Sequence, residues 1–226
     1  MGTKTFPGGI HPDDAKVYAK KSKIETFANP DKVIIPLSQH IGAPSEPIVK
    51  IGDNVKTGQQ ISKAKGFVSI PMHASISGKI TRIKKFPHPS GTIQKAVQIT
   101  NDGKDEWIDL IDDKKYMDLT AEEMKKRIST AGICGMGGAG FPTHVKLSPP
   151  KDKPIDTVIL NGVECEPYLT ADYRLMLEKA EKIIIGLKII MKIVQAKEGI
   201  IGIEANKPDA IKKMKKLVKN EKNIKV

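Results

Sequence analysis

Five glycines fall within nine residues in Gly132-Ile-Cys-Gly-Met-Gly-Gly-Ala-Gly140, and the stretch runs on through Phe141, Pro142 and Thr143 to Lys146. With so few Cβ atoms its backbone N–H groups lie bare, and such a loop can wrap a phosphate or lie flat against a planar ring. Lys146 would add positive charge for a phosphate. The spacing is not G-x-x-x-x-G-K-[ST], which disfavours a P-loop nucleotidase. It is also not held tightly between a strand and a helix, so it fits a dinucleotide fingerprint poorly. A second group follows in Asn161-Gly-Val-Glu-Cys-Glu-Pro-Tyr168. It comes after an apolar run that reads as a parallel strand, which puts it at the carboxyl edge of a sheet, where α/β folds bind ligands. Asn161 can donate and accept; Glu164 and Glu166 can accept from the hydroxyls of a ribityl or ribose chain. The competing reading is an acidic turn that caps the next helix through Asp172 or Thr170.

Other chemistry is thin. Cys134 and Cys165 are the only cysteines, 31 residues apart, which is no secreted disulfide framework. His11, His40, His73, His88 and His144 show no metal-ligand spacing.

The elements that must position these loops change character along the chain. The first 32 residues are turn-rich, with one short helix expected from Asp13, its cap, to Lys23. From 33 to 100, β-branched runs at 33–37, 47–51, 60–62, 67–70, 78–83 and 97–100 alternate with turn glycines, Gly52 and Gly58 among them, which predicts a small all-β unit. Thr120-Ala-Glu-Glu123 is a capping-box pattern, so a helix should run from about Ala121 to Ser129. After the glycine loop come a strand at 157–160, one long helix within 170–195, a strand at 199–204, a helix capped by Asn206 with Pro208 in its first turn, and a third strand beginning at Ile224. Strand–helix–strand–helix–strand implies a parallel sheet with helical crossovers. The pattern breaks off at Val226, which reads as a piece of a longer protein.

Net charge is +12, and half of it lies in the last 20 residues, where eight lysines face two acids. This is first a solvated helix face, and second a surface for an anionic membrane or an acidic partner. Nucleic acid is disfavoured, because the lysines lack interleaved aromatics and arginine is almost absent. No apolar leader stands at the N-terminus, and the densest apolar run, 183–194, is broken by Gly186, Lys188 and Lys192; both point to a cytoplasmic protein.

Two stretches carry a resemblance to known families. Val49 to Ile61, followed by Ser69 to Ile80, resembles a lipoyl-like barrel-sandwich hybrid. Its hairpin region Lys63-Ala-Lys-Gly66 lacks the neighbours of a cofactor-bearing lysine, so a docking module is expected there rather than a carrier. Gly-Met-Gly-Gly-Ala-Gly-Phe-Pro-Thr (135–143) with Asn-Gly-Val-Glu-Cys-Glu-Pro (161–167) resembles the FMN and NADH site of the NADH-oxidising subunit of respiratory complex I. With Phe-Pro-Gly-Gly-Ile-His-Pro (6–12) ahead of the β unit, the whole chain resembles the N-terminal portion of the RnfC family. The complex I pattern has an arginine where Met136 stands and an aspartate where Val163 stands.

The resemblance implies a barrel-sandwich domain over 1–105, a linking helix region over 106–130 and an incomplete Rossmann-like α/β domain over 131–226. It implies that Gly135, Gly137 and Gly138 line FMN, that Lys146 approaches the FMN phosphate, and that Asn161 and Glu164 reach its ribityl and ring side. Phe141 would stack near NADH and Glu166 would contact its ribose. Cys165, beside that flavin, reads as a small buried residue. Two [4Fe-4S] clusters would belong to a missing C-terminal region, since each needs four thiolates. The implied activity is electron transfer between NAD(H), FMN and those clusters, beside membrane-embedded Rnf subunits, at the cytoplasmic face of the plasma membrane. A soluble cobalamin-reductase-like flavoprotein and a non-catalytic docking module are the alternatives.

Overall fold

The computed structural model describes residues 10, 12–111, 113, 115–136, 138 and 140–226. Most of the Phe6–Pro12 motif and Gly137 therefore lie outside the described residues. The chain divides into two compact units, one of residues 27–150 and one that joins the segment up to residue 26 to residues 151–226. This division cuts across the expected bounds of 1–105, 106–130 and 131–226. The glycine loop groups with the β unit, and residues 12–26 group with the α/β unit.

In the β unit, strands β1 (Lys32–Pro36), β6 (Ile93–Asn101), β5 (Gly78–Pro87) and β3 (Asn54–Val55) form one antiparallel sheet in the order β1-β6-β5-β3, and β2 (Glu46–Pro47) pairs with β4 (Ser62–Lys63). Alternate residues Ile80, Val97 and Ile99 point inward, as the two-residue period of a strand requires. They meet Ile35, Leu37, Val55, Ile61, Ile70 and Ile76 in one aliphatic core. Gly52 and Gly58 have φ of +102° and +82°, as their turns demand.

The expected strand at 67–70 is absent. Its polar groups are met elsewhere: Val68 O accepts from Ala43 N, Ile70 N donates to His40 Nε2, and Ser69 Oγ donates to Ala43 O. A β-branched run needs a neighbouring strand to become one, and here a loop takes that place. The runs at 47–51 and 60–62 shrink to the short β2 and β4 for the same reason. Lys63 and Lys65 of the hairpin region both reach Glu46, at 3.6 and 3.2 Å.

Helix α1 (Ala121–Thr130) begins with a full capping box: Glu123 N donates to Thr120 Oγ1, and Thr120 N donates to Glu123 Oε2. The glycine loop follows, and then the single turn α2 (Thr143–Lys146).

In the α/β unit, β7 (Thr157–Asn161), β8 (Glu198–Gly202) and β9 (Ile224–Lys225) form a parallel sheet in that order. Helices α3 (Ala171–Glu178), α4 (Ala180–Val194) and α5 (Pro208–Leu217) make the crossovers. Leu187, Met191, Ile201, Met214 and Ile224 are among the residues of their shared core. The single long helix expected within 170–195 is two helices, because Lys179 leaves helical geometry at φ −133°, ψ 27°. A carbonyl freed at that break, Leu177 O, accepts from Lys213 Nζ of α5 at 2.6 Å. The expected Asn206 cap is also absent. Its side chain is taken by Lys207 Nζ and Glu204, and α5 starts at Pro208 with no side-chain cap.

The short helix expected at 13–23 is a single 3₁₀ turn, Lys16–Tyr18. Asp13 and Asp14 accept from the N–H groups two residues on, which favours turns over a helix. Arg174 holds this segment by donating to Lys20 O, and Glu178 accepts from Ile24 N. The fork from Arg174 keeps the Glu178 carboxyl below its usual range.

Candidate flavin and dinucleotide loops

The glycine loop is tied at its neck and open at its tip. Gly135 N donates to Phe141 O at 2.9 Å, and Thr143 N donates to Ile133 O at 3.0 Å. Between them Met136 is 91% exposed, and a Cβ added to Gly138 would meet nothing within 4 Å. Gly140 fastens the far side: its carbonyl accepts from Ile41 N, its φ is +60°, and an added Cβ would lie 3.0 Å from Gln39 O. Only glycine fits so close an approach in the left-handed region. Phe141 is partly exposed, and Lys146 is exposed at the end of α2. A groove of about 1000 Å³ runs beside the loop, floored by Ile34 and Pro36 and walled by the β5–β6 hairpin tip at 86–90.

His144, to which the sequence gives no role, is buried. Its Nε2 meets Phe67 O at 2.8 Å, and its ring stands edge-on to Phe67. It anchors α2 to the β unit.

The acidic loop leaves β7 at Asn161, whose Oδ1 accepts from Val163 N at 3.1 Å, so its amide nitrogen is left to donate. Glu164 has a left-handed φ of +54°, and its side chain is only 2% exposed. Its Oε1 accepts from Asp172 N at 2.7 Å and Tyr173 N at 3.3 Å, the first amides of α3. The helix-capping alternative thus holds in kind, but the cap is Glu164 rather than Asp172 or Thr170. Glu166 is exposed. Cys165, expected to be buried, is exposed too. The next turn is fixed by Tyr173, whose hydroxyl donates to Asp209 at 2.5 Å; that bond raises the Tyr173 pKa above its ordinary value.

Two lysines that sequence reasoning passes over hold this loop. Lys16 Nζ donates to Glu166 O (2.9 Å) and Leu169 O (2.6 Å) and stands 3.9 Å from Glu164. Lys207 Nζ donates to Val163 O (2.7 Å) and to Glu204 (3.0 Å). By sequence Lys207 belongs with the solvated basic tail. A buried partner some 44 residues away leaves no local signal.

The glycine loop and the acidic loop belong to different compact units. Among the described residues, no group of three or more His, Cys, Asp or Glu side chains could hold a metal ion. No described helix is long and apolar enough to cross a membrane.

Two family models match the chain in succession. The RnfC barrel sandwich hybrid domain matches residues 4–104, and the Nuo51 FMN-binding domain matches residues 128–226. The chain belongs to the RnfC family. Its relatives include the RnfC-type subunit of the proton-translocating ferredoxin:NAD(+) oxidoreductase complex of Clostridium ljungdahlii, 52% identical over 97% of this chain and 48% of that protein. The corresponding subunit of the Na(+)-translocating ferredoxin:NAD(+) oxidoreductase complex of Acetobacterium woodii is 48% identical over 98% of this chain and 50% of that protein. That of the ion-translocating oxidoreductase complex of Rhodobacter capsulatus is 43% identical over 92% of this chain and 40% of that protein. The chain spans about half the length of the first two. The β unit is thus the barrel-sandwich part of an RnfC protein, and both candidate loops fall within the FMN-binding match.

Proposed function

We propose that this chain supplies the FMN- and NADH-binding part of the RnfC-type subunit in an ion-translocating ferredoxin:NAD oxidoreductase. The observation that carries this reading is the succession of a barrel-sandwich match and an FMN-binding match on one chain, with an open glycine tip inside the second. FMN, when bound, would accept a hydride from NADH and release electrons singly. The residues fit such a group. Gly138 leaves room for a flat or phosphorylated ligand against the backbone, and exposed Lys146 suits its phosphate. Gly135 and Gly137 belong to the same proposed cradle. Asn161 would donate through its free amide nitrogen. Glu164, turned inward, would act by shaping the loop. Phe141 offers a ring edge for the dinucleotide, and Glu166 a carboxylate for ribose hydroxyls.

Within the same reading, the β unit is lipoyl-like and used for docking, and the parallel unit is Rossmann-like, of the complex I flavoprotein type. [4Fe-4S] clusters belong to the part of the relatives' length that this chain does not span. Other Rnf subunits are the partners, with the protein peripheral at the cytoplasmic face of the membrane.

The test is FMN titration followed by flavin fluorescence, on the full-length protein and on Gly138→Trp. Gly138 has no positive φ and open space around it, so tryptophan is accommodated by the fold but fills the cradle. The variant should lose at least about tenfold in affinity with an unchanged melting temperature. Equal affinity would move the flavin off this loop. A full-length protein without flavin binding would leave a docking module as the better account.

A further inference from the structure

Lys16 and Lys207 are 6% and 3% exposed. Lysine is almost never buried so deeply without partners, and a packed apolar side chain in its place would often stabilise a fold as well or better. What the two ammonium groups do instead is turn three carbonyls of one loop inward, Val163 from Lys207 and Glu166 and Leu169 from Lys16. The loop they hold is strained. Glu164 and Tyr168 both have left-handed φ, +54° and +67°, a conformation that persists only where surroundings impose it. The same surroundings bind Tyr168 N to Asp14 O at 2.8 Å and stack Tyr168 on Tyr18. Glu164 Oε2 is buried without a hydrogen bond and faces the Lys16 charge at 3.9 Å.

We propose that Lys16 and Lys207 are positioning residues for dinucleotide binding: they fix the acidic loop from its two ends so that the Glu166 carboxylate is presented to NADH. Lys16 holds the main chain of Glu166 itself, while the carboxylate of that residue is exposed and, among the described residues, unpaired. Backbone and side chain of one residue thus have separate tasks. The N-terminal segment, far away in sequence, becomes part of the dinucleotide site. The inference rests on the reading of Glu166 as an NADH contact.

The experiment uses the full-length, FMN-loaded protein and steady-state NADH oxidation with an artificial acceptor. Lys16→Met should raise KM for NADH about tenfold, with kcat within about threefold and flavin content unchanged. Lys207→Met should do the same, and it stands in if Lys16→Met does not fold. Leu187→Ala lowers the stability of the same unit from its core, away from the loop, and should leave KM unmoved. An unchanged KM in both lysine variants overturns the proposal. So does an equal KM rise in Leu187→Ala, which would make the effect one of general stability. A wild-type protein that holds no flavin removes the reading beneath it, which is distinguishable from a flavin-loaded protein indifferent to the lysines.

Discussion

Glu164 shows why a residue's type does not fix its role. Between two other loop residues with ligand-like chemistry, its carboxylate is turned into the protein and serves two amides of α3. Glu164→Ala leaves those amides without an acceptor and should lower unfolding free energy by about 1–2 kcal/mol, measured by urea denaturation. His73 gives a second prediction, from pH. Burial lowers its pKa, opposed in part by a hydrogen bond to the Thr130 backbone. The folded state therefore holds fewer protons than the unfolded state below the ordinary histidine pKa of about 6.5. The contribution from neutral His73 is fully present above that value and is lost as pH falls through the lowered folded value. The urea midpoint should fall between pH 7.5 and pH 5, and His73→Gln should flatten that fall.

At the scale of elements, what was legible was local. The Thr120–Glu123 box lies within one turn, and α1 starts where it predicts. The parallel order β7-β8-β9 follows from strands separated by helix-length segments, which permit little else. What was not legible depends on distant partners. The run at 67–70 has strand composition, but His40 and Ala43 satisfy its backbone. The break at Lys179 has no glycine or proline to announce it, and its freed carbonyl is met by Lys213 from α5. The site divides the same way. The glycine loop and the acidic loop are visible as strings, whereas Lys16 and Lys207 become visible only when contacts are known. The inward turn of Glu164 likewise needs α3 in place.

For the whole molecule, two separate aliphatic cores predict two unfolding transitions. Ile80, fully buried in the β unit, and Leu187, 1% exposed in the α/β unit, report on one each. Ile80→Ala and Leu187→Ala should each cost about 2–5 kcal/mol in their own unit and leave the other transition in place, as read by calorimetry. Merging of both shifts into one transition would mean that the cores unfold together.

The α/β unit is discontinuous along the chain, and this bears on its birth at the ribosome. Lys16 finds its carbonyl partners 150 and 153 residues later. At translation speeds of roughly 5–20 residues per second, that interval lasts on the order of 10–30 s. The β unit, encoded without interruption between residues 27 and 150, is complete before the first strand of the other unit has emerged. For that time the segment around Lys16 waits, its ammonium group hydrated, and it is buried only when the acidic loop arrives. The nascent chain therefore closes the α/β unit last, by bringing its earliest residues back to its latest.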